Sequence, residues 1–154
     1  MKAHQKAIPE HTLPSTEEKF TLYAQTRQTW MTSGYVSIGM DHFARPTDPL
    51  EQAYAKKTLT RNFQGYALNF ADDMLGLGVT SIGFLKNTFF QNRVAIDTYK
   101  HAIDQKKLPI QRGYVLNADD RIRRWVIQTL MCQFELNKEE FKSKFQLEFD
   151  DYFR

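Results

Sequence analysis

Helix starts are spelled out in side chains along this chain, and they leave only short intervals for other structure. Ser15, preceded by Pro14 and followed three residues later by Glu18, forms a capping box that predicts a helix running to Gly34. Phe20, Tyr23, Ala24, Trp30 and Met31 supply its apolar stripe. Asp48 with Pro49 opens a second helix, with Leu50, Ala53 and Tyr54 on one side, and Asn92 is placed to cap a third through Ile96, Tyr99 and Ile103. Asn117 with Asp120 opens a strong helix that buries Ile122, Trp125, Val126, Thr129, Leu130 and Phe134. Asn137 with Glu140 opens another through Phe141 and Phe145. The last two, joined by a short turn, resemble a helix-turn-helix element.

The intervals read as strands and turns. The first dozen residues are polar and non-periodic and read as loop, while Tyr35–Met40 alternates partly and is rich in strand formers. It leads into Asp41-His42-Phe43-Ala44-Arg45, a polar cluster at a strand end, where α/β layouts place their sites. Loop capping and salt bridging explain the cluster equally well. Arg61–Tyr66 is extended or turning, and Gly113–Leu116 is a brief extended link. Between them, Leu75–Phe84 is a strand-like run punctuated by Gly76, Gly78 and Gly83, a density that implies close approach of a ligand or of another backbone. No Lys-Ser or Lys-Thr follows it at phosphate-loop spacing. Phe149, Tyr152 and Phe153 continue an amphipathic pattern for which no later residue supplies a partner.

A chain of 154 residues suffices for one modest domain, or parts of two, and 14% aromatic content argues for a packed core. The net charge of +3 comes from interleaved cations and anions, and Glu139, Glu140 and Glu148 on the last helices would repel phosphate, so no nucleic-acid partner is expected. Cys132 is the sole cysteine, so the chain holds no disulfide framework and no thiolate set for a cluster or a structural zinc. A reducing, cytoplasmic setting fits that count, and no run approaches the roughly 20 apolar residues that span a bilayer. Cys132 itself reads as a buried structural thiol. His4, His11, His42 and His101 have no metal-ligand spacing. Asp72-Asp73 reads as solvated loop or capping, and Arg121, Arg123 and Arg124 as surface ion pairs with Asp119 and Asp120.

Local chemistry thus ends at a mixed α/β piece, and longer motifs carry further. Ile38-Gly39-Met40-Asp41-His42-Phe43-Ala44-Arg45-Pro46 and Arg61-Asn62-Phe63-Gln64-Gly65-Tyr66 closely resemble the oxygen-independent coproporphyrinogen III oxidases, a radical S-adenosylmethionine family. In the same order follow Leu75-Gly76-Leu77-Gly78-Val79 with Ser81 and Ile82, Gln91-Asn92, Arg112-Gly113, and Asp119-Asp120 with Ile122-Arg123-Arg124. The resemblance implies an α/β fold: the C-terminal end of a radical-SAM partial (β/α) barrel over residues 1–108, then the start of a helical, helix-turn-helix-like domain over 109–154. It also implies a reaction, in which a [4Fe–4S] cluster cleaves S-adenosylmethionine to a radical that starts decarboxylation of a porphyrinogen's propionates. Of the family's cofactor-binding residues, Phe63, Gln64 and Ile82 match those at the S-adenosylmethionine sites.

The family's C-x-x-x-C-x-x-C motif and Gly-Gly-Thr-Pro segment are absent. Without three thiolates no such cluster is held, so the chain alone is expected to be inactive, with no catalytic residue and no metal ligand of its own. The resemblance also implies an incomplete barrel with an unpaired sheet edge. The alternative is a non-catalytic interaction module that completes a separately encoded N-terminal half.

Overall fold

The computed structural model describes residues 7–68 and 73–154, which fall into two compact units, 1–52 and 53–154. His4 and Asp72, singled out above, lie outside the described residues.

In the first unit a short 3-10 turn, Glu10–Thr12, precedes α1 (Thr16–Thr32). Both halves of the expected box are made: the Ser15 hydroxyl accepts from the Glu18 amide, and the Glu18 carboxylate accepts from the Ser15 amide. Gly34 follows with φ +84°, a conformation that favours glycine at a helix end. The apolar stripe does not become a core face. Phe20 is 70% exposed and no residue of α1 is buried. The helix is tied down instead by the edge of Trp30 on Tyr35 and by the Tyr23 hydroxyl, which donates to the Met40 carbonyl at 2.7 Å. The strand expected over 35–40 shortens to β1 (Val36–Ser37), antiparallel to β2 (Phe43–Ala44). The polar cluster therefore forms the turn and return strand of a small hairpin, with Ile38 buried. α2 (Pro49–Ala55) starts as predicted, the Asp48 carboxylate accepting from the Leu50 amide at 2.8 Å.

The second unit holds two antiparallel sheets and a helical end. β3 (Thr60–Asn62) and β4 (Gly65–Ala67) form a hairpin whose turn is Phe63-Gln64. β5 (Ile82–Leu85), β6 (Thr88–Asn92) and β7 (Ile110–Val115) make a sheet in the order β5-β6-β7. Lys86 and Asn87, with φ +45° and +65°, supply the two-residue turn that right-twisted antiparallel strands require. The glycine-punctuated run is mostly loop, and only its end is strand. The close approach predicted for it is real at Gly83, where an added Cβ would sit 2.3 Å from the Phe90 ring and 2.8 Å from the Met74 carbonyl oxygen.

Asn92 does not cap α3 (Ile96–Asp104), whose N-cap is Ala95 with no side-chain bond. Asn92 ends β6 instead, 4% exposed, and its amide donates to the Gly76 and Gly78 carbonyls at 2.9 and 3.0 Å. A buried amide gains more by satisfying two loop carbonyls than by capping a helix in water.

α4 (Ala118–Gln133) has the complete Asn117–Asp120 box and buries Val126, Thr129 and Cys132. α5 (Lys138–Phe145) keeps half of its box: the Asn137 side chain accepts from the Glu139 and Glu140 amides. α6 (Phe149–Tyr152) corrects the expectation that the terminal aromatics lack a partner. Phe149, Tyr152 and Phe153 gather round Phe141, which is fully buried, with ring centroids 5.2, 6.3 and 5.9 Å away. Trp125 and Phe145 close the cluster at 6.1 and 5.1 Å from the same ring. Complete burial of one such ring stabilises by about 1.5–3 kcal/mol.

Candidate functional site

A cavity of about 630 Å³ lies within the second unit between the β3–β4 hairpin, the β5–β6 hairpin and α4. Its size falls in the range of about 300–1,000 Å³ usual for small-ligand sites. The apolar wall is built by register. Phe84 and Phe89 are directly opposed across β5 and β6, with centroids 4.7 Å apart, and the edge of Phe63 meets Phe89 at 5.5 Å. Met74, Leu116, Ile127 and Met131 complete that surface.

The polar groups come from β3 and α4. Arg124 lays its guanidinium on the Phe84 ring, 4.1 Å from the centroid, and 5.5 Å from that of Phe89. Burial draws its pKa down, but a guanidinium remains a cation at any physiological pH. Arg123 also lines the cavity but is paired with Asp119 at 2.8 Å, as expected for residues four apart on a helix. Asp120 accepts from the Tyr114 hydroxyl and the Asn117 amide at 3.1 and 3.0 Å. Gln128 binds the hairpin to the helix, its amide donating to the Arg61 carbonyl at 3.0 Å, and the Tyr66 hydroxyl donates to the Met131 carbonyl at 2.8 Å.

Arg61 stacks on Tyr66, its cross-strand neighbour, at 4.8 Å. Its buried Nη1 has no hydrogen-bond acceptor among the described residues. Cys132 is 2% exposed, and burial pushes its thiol up against the opposing pull of the Arg61 charge. That environment matches a structural thiol.

The residues singled out from sequence fare unequally. Phe63 lines the cavity and remains 62% exposed. Gln64 is the exposed second turn residue, its amide nitrogen donating to Asn62 at 2.8 Å, and does not line the cavity. Ile82 starts β5 on the same face as Phe84 but is likewise outside the lining. In the first unit the Asp41–Arg45 cluster satisfies itself: Asp41 bonds His42 Nδ1 at 2.8 Å, and Arg45 bonds the Tyr35 hydroxyl at 3.4 Å. Among the described residues no three His, Cys, Asp or Glu side chains converge as metal ligands would.

Phe84, Phe89 and Arg124 have roles that sequence reasoning missed. The first two belong to strands whose pairing was not predicted. Surface ion pairing, expected for Arg121, Arg123 and Arg124, holds for Arg123 with Asp119, while the Phe84 ring beneath Arg124 was not foreseen. The signal available was the i, i+4 pair Arg124/Gln128 flanking the apolar face of α4.

No family model matches the chain. It is 45% identical over 99% of its length to the oxygen-independent coproporphyrinogen III oxidase of Synechocystis, covering 34% of that protein. To those of Escherichia coli and Thermostichus vulcanus it is 39% identical, over 98% and 99% of its length and 33% and 47% of theirs. A solved structure of coproporphyrinogen III oxidase from Escherichia coli, described as a radical SAM enzyme, superposes with a TM-score of 0.89 at 39% identity, covering 98% of this chain and 35% of that one. The chain thus spans about a third of the length of most of these relatives. Along nearly its whole length it is a homologue of one portion of the oxygen-independent coproporphyrinogen III oxidases.

Proposed function

We propose that the chain serves as the C-terminal part of an enzyme that oxidatively decarboxylates coproporphyrinogen III to protoporphyrinogen IX. Similarity extending over 99% of the chain, with a fold matching at TM-score 0.89, is the observation that supports this reading. In the longer protein residues 1–108 would complete the catalytic barrel and residues 109–154 would open the helical domain.

The residues present do not fit the cluster, since the one cysteine is buried in α4. Its thiolates would come from the remaining two-thirds of the enzyme. S-adenosylmethionine fits better. Phe63 offers an exposed aromatic surface to adenine, Gln64 an exposed amide able both to donate and to accept, and Ile82 an apolar side chain. When bound, S-adenosylmethionine supplies the radical precursor. The work of this chain is to hold it and to keep water from the apolar wall.

A second reading, a non-catalytic module that completes a separately encoded N-terminal half, draws on the exposed apolar side chains of α1, where Phe20 is 70% and Trp30 42% exposed. Both readings meet in one experiment, in which this chain replaces the matching third of the Escherichia coli relative and the hybrid is assayed anaerobically with S-adenosylmethionine and reductant. Protoporphyrinogen should form, and Phe63→Ala with Gln64→Ala should raise the KM for S-adenosylmethionine by about tenfold. A folded, cluster-loaded hybrid without product would exclude the enzymatic reading.

A further inference from the structure

The turn that carries Phe63 and Gln64 closes a hairpin too small to hold itself. Its strands pair only at Thr60–Ala67, Arg61–Tyr66 and Asn62–Gly65, and an isolated two-stranded ribbon is marginal in water. No residue of either strand is fully buried, and both turn residues are exposed, so core packing does not set the angle of the turn. Hydrogen bonds to α4 do. Behind the pair that closes the turn, Arg61 and Tyr66 face each other, and each is tied to the helix. The Gln128 side-chain amide donates to the Arg61 carbonyl at 3.0 Å, and the Tyr66 hydroxyl donates to the Met131 carbonyl at 2.8 Å. Gln128 and Met131, three apart, share one helix face. Met131 lies in the last turn of α4, where carbonyls have no intrahelical amide to accept from, so the tyrosine satisfies an acceptor that the helix leaves open.

We propose that Tyr66 and Gln128 are positioning residues for cofactor binding: through them α4 sets the angle at which the Phe63 ring and the Gln64 amide meet S-adenosylmethionine. The state of Phe63 points the same way. Its ring is 62% exposed and so adds little to a core, yet its edge is held on Phe89 at 5.5 Å and 85°. An aromatic fixed along one edge and otherwise open is supported as a stacking surface for a flat ring must be. The two bonds join residues 65 and 67 positions apart, so the helical end of the chain takes part in a site whose contacts lie far upstream. That Phe63 and Gln64 meet S-adenosylmethionine rests on the function proposed above, whereas the clamp itself does not.

Tyr66→Phe and Gln128→Met each delete one donor and keep most of the side-chain volume, and the phenylalanine keeps the ring on which Arg61 stacks. Tyr152→Phe is the control, since it deletes a hydroxyl bond to Asp119 at the other end of α4. In the cluster-loaded hybrid described above, the Kd for S-adenosylmethionine by equilibrium dialysis and its KM should each rise about fivefold in the first two variants, the fold-change of one lost hydrogen bond. With S-adenosylmethionine saturating, kcat should stay within about twofold. The control should leave all three unchanged. In the 154-residue chain, amide exchange at Gln64 should quicken in the two variants and not in the control. An unchanged Kd in both variants, or an equal rise in Tyr152→Phe, overturns the assignment. Product formation with an unchanged Kd sinks the clamp and keeps the function. Weakened S-adenosylmethionine binding in a hybrid that forms no product keeps the clamp and sinks the function, and a loaded hybrid that binds none sinks both.

Discussion

Gly83 shows how one missing side chain can decide a sheet. It faces Phe90 across β5 and β6, and the ring fills the space where a Cβ would stand, at 2.3 Å. Phe90 in turn pairs with Gly113 on β7, so the aromatic is flanked by glycine on both neighbouring strands. Packing a ring over glycine recovers burial that the glycine itself cannot supply. Gly83→Ala must displace either that ring or the Met74 backbone, and overpacking of this kind costs about 1–3 kcal/mol. Urea unfolding of the variant should show a lower midpoint at unchanged slope; an unaltered midpoint would mean that Phe90 moves freely. The predicted close approach in the glycine-punctuated run was therefore correct in kind, but its partner, left open between ligand and backbone, proves to be a ring and a carbonyl of the chain itself.

At the scale of elements, α4 organises the second unit from its first turn. Its first turn is held by the Asn117–Asp120 box, and Asp119 beside it ties α4 to α6. Asp119 accepts from Arg123 Nε and from the Tyr152 hydroxyl, and these bonds hold its carboxyl below the ordinary carboxylate value. The stabilisation is whole above the ordinary value and is lost as pH falls through the depressed one, because only the ionised form is favoured by both donors. Stability curves from pH 6 down to about pH 2 should therefore fall less steeply for Asp119→Asn than for the unmodified chain. Coincident acid limbs would remove Asp119 from this role. The side group is exposed to solvent, so added salt should shrink the difference.

Across the whole molecule, residues 53–154 contain a core of their own: Leu59, Phe84, Leu116, Val126, Cys132 and Phe141 are all buried there. Expressed without residues 1–52, this unit should unfold cooperatively and keep the near-ultraviolet dichroism of its packed aromatics. A non-cooperative transition, or loss of that signal, would show that the core is not self-sufficient. The cavity between the two hairpins and α4 lies entirely within this unit.

The amino-acid sequence by itself determined the helix starts at Ser15, Asp48, Asn117 and Asn137, because a cap is a local exchange of hydrogen bonds between residues two or three apart. It also carried the likeness to the coproporphyrinogen oxidases, which resides in ordered motifs and needs no geometry. Tertiary structure alone decided which cap was not a cap, since Asn92 is drawn to two loop carbonyls from 14 and 16 residues upstream. It alone set Phe84 against Phe89 and placed Arg124 on both, and it supplied the terminal aromatics with Phe141 as their partner. These outcomes depend on contacts between residues far apart in the chain, whose free energy comes from excluding water between surfaces that only the folded chain brings together.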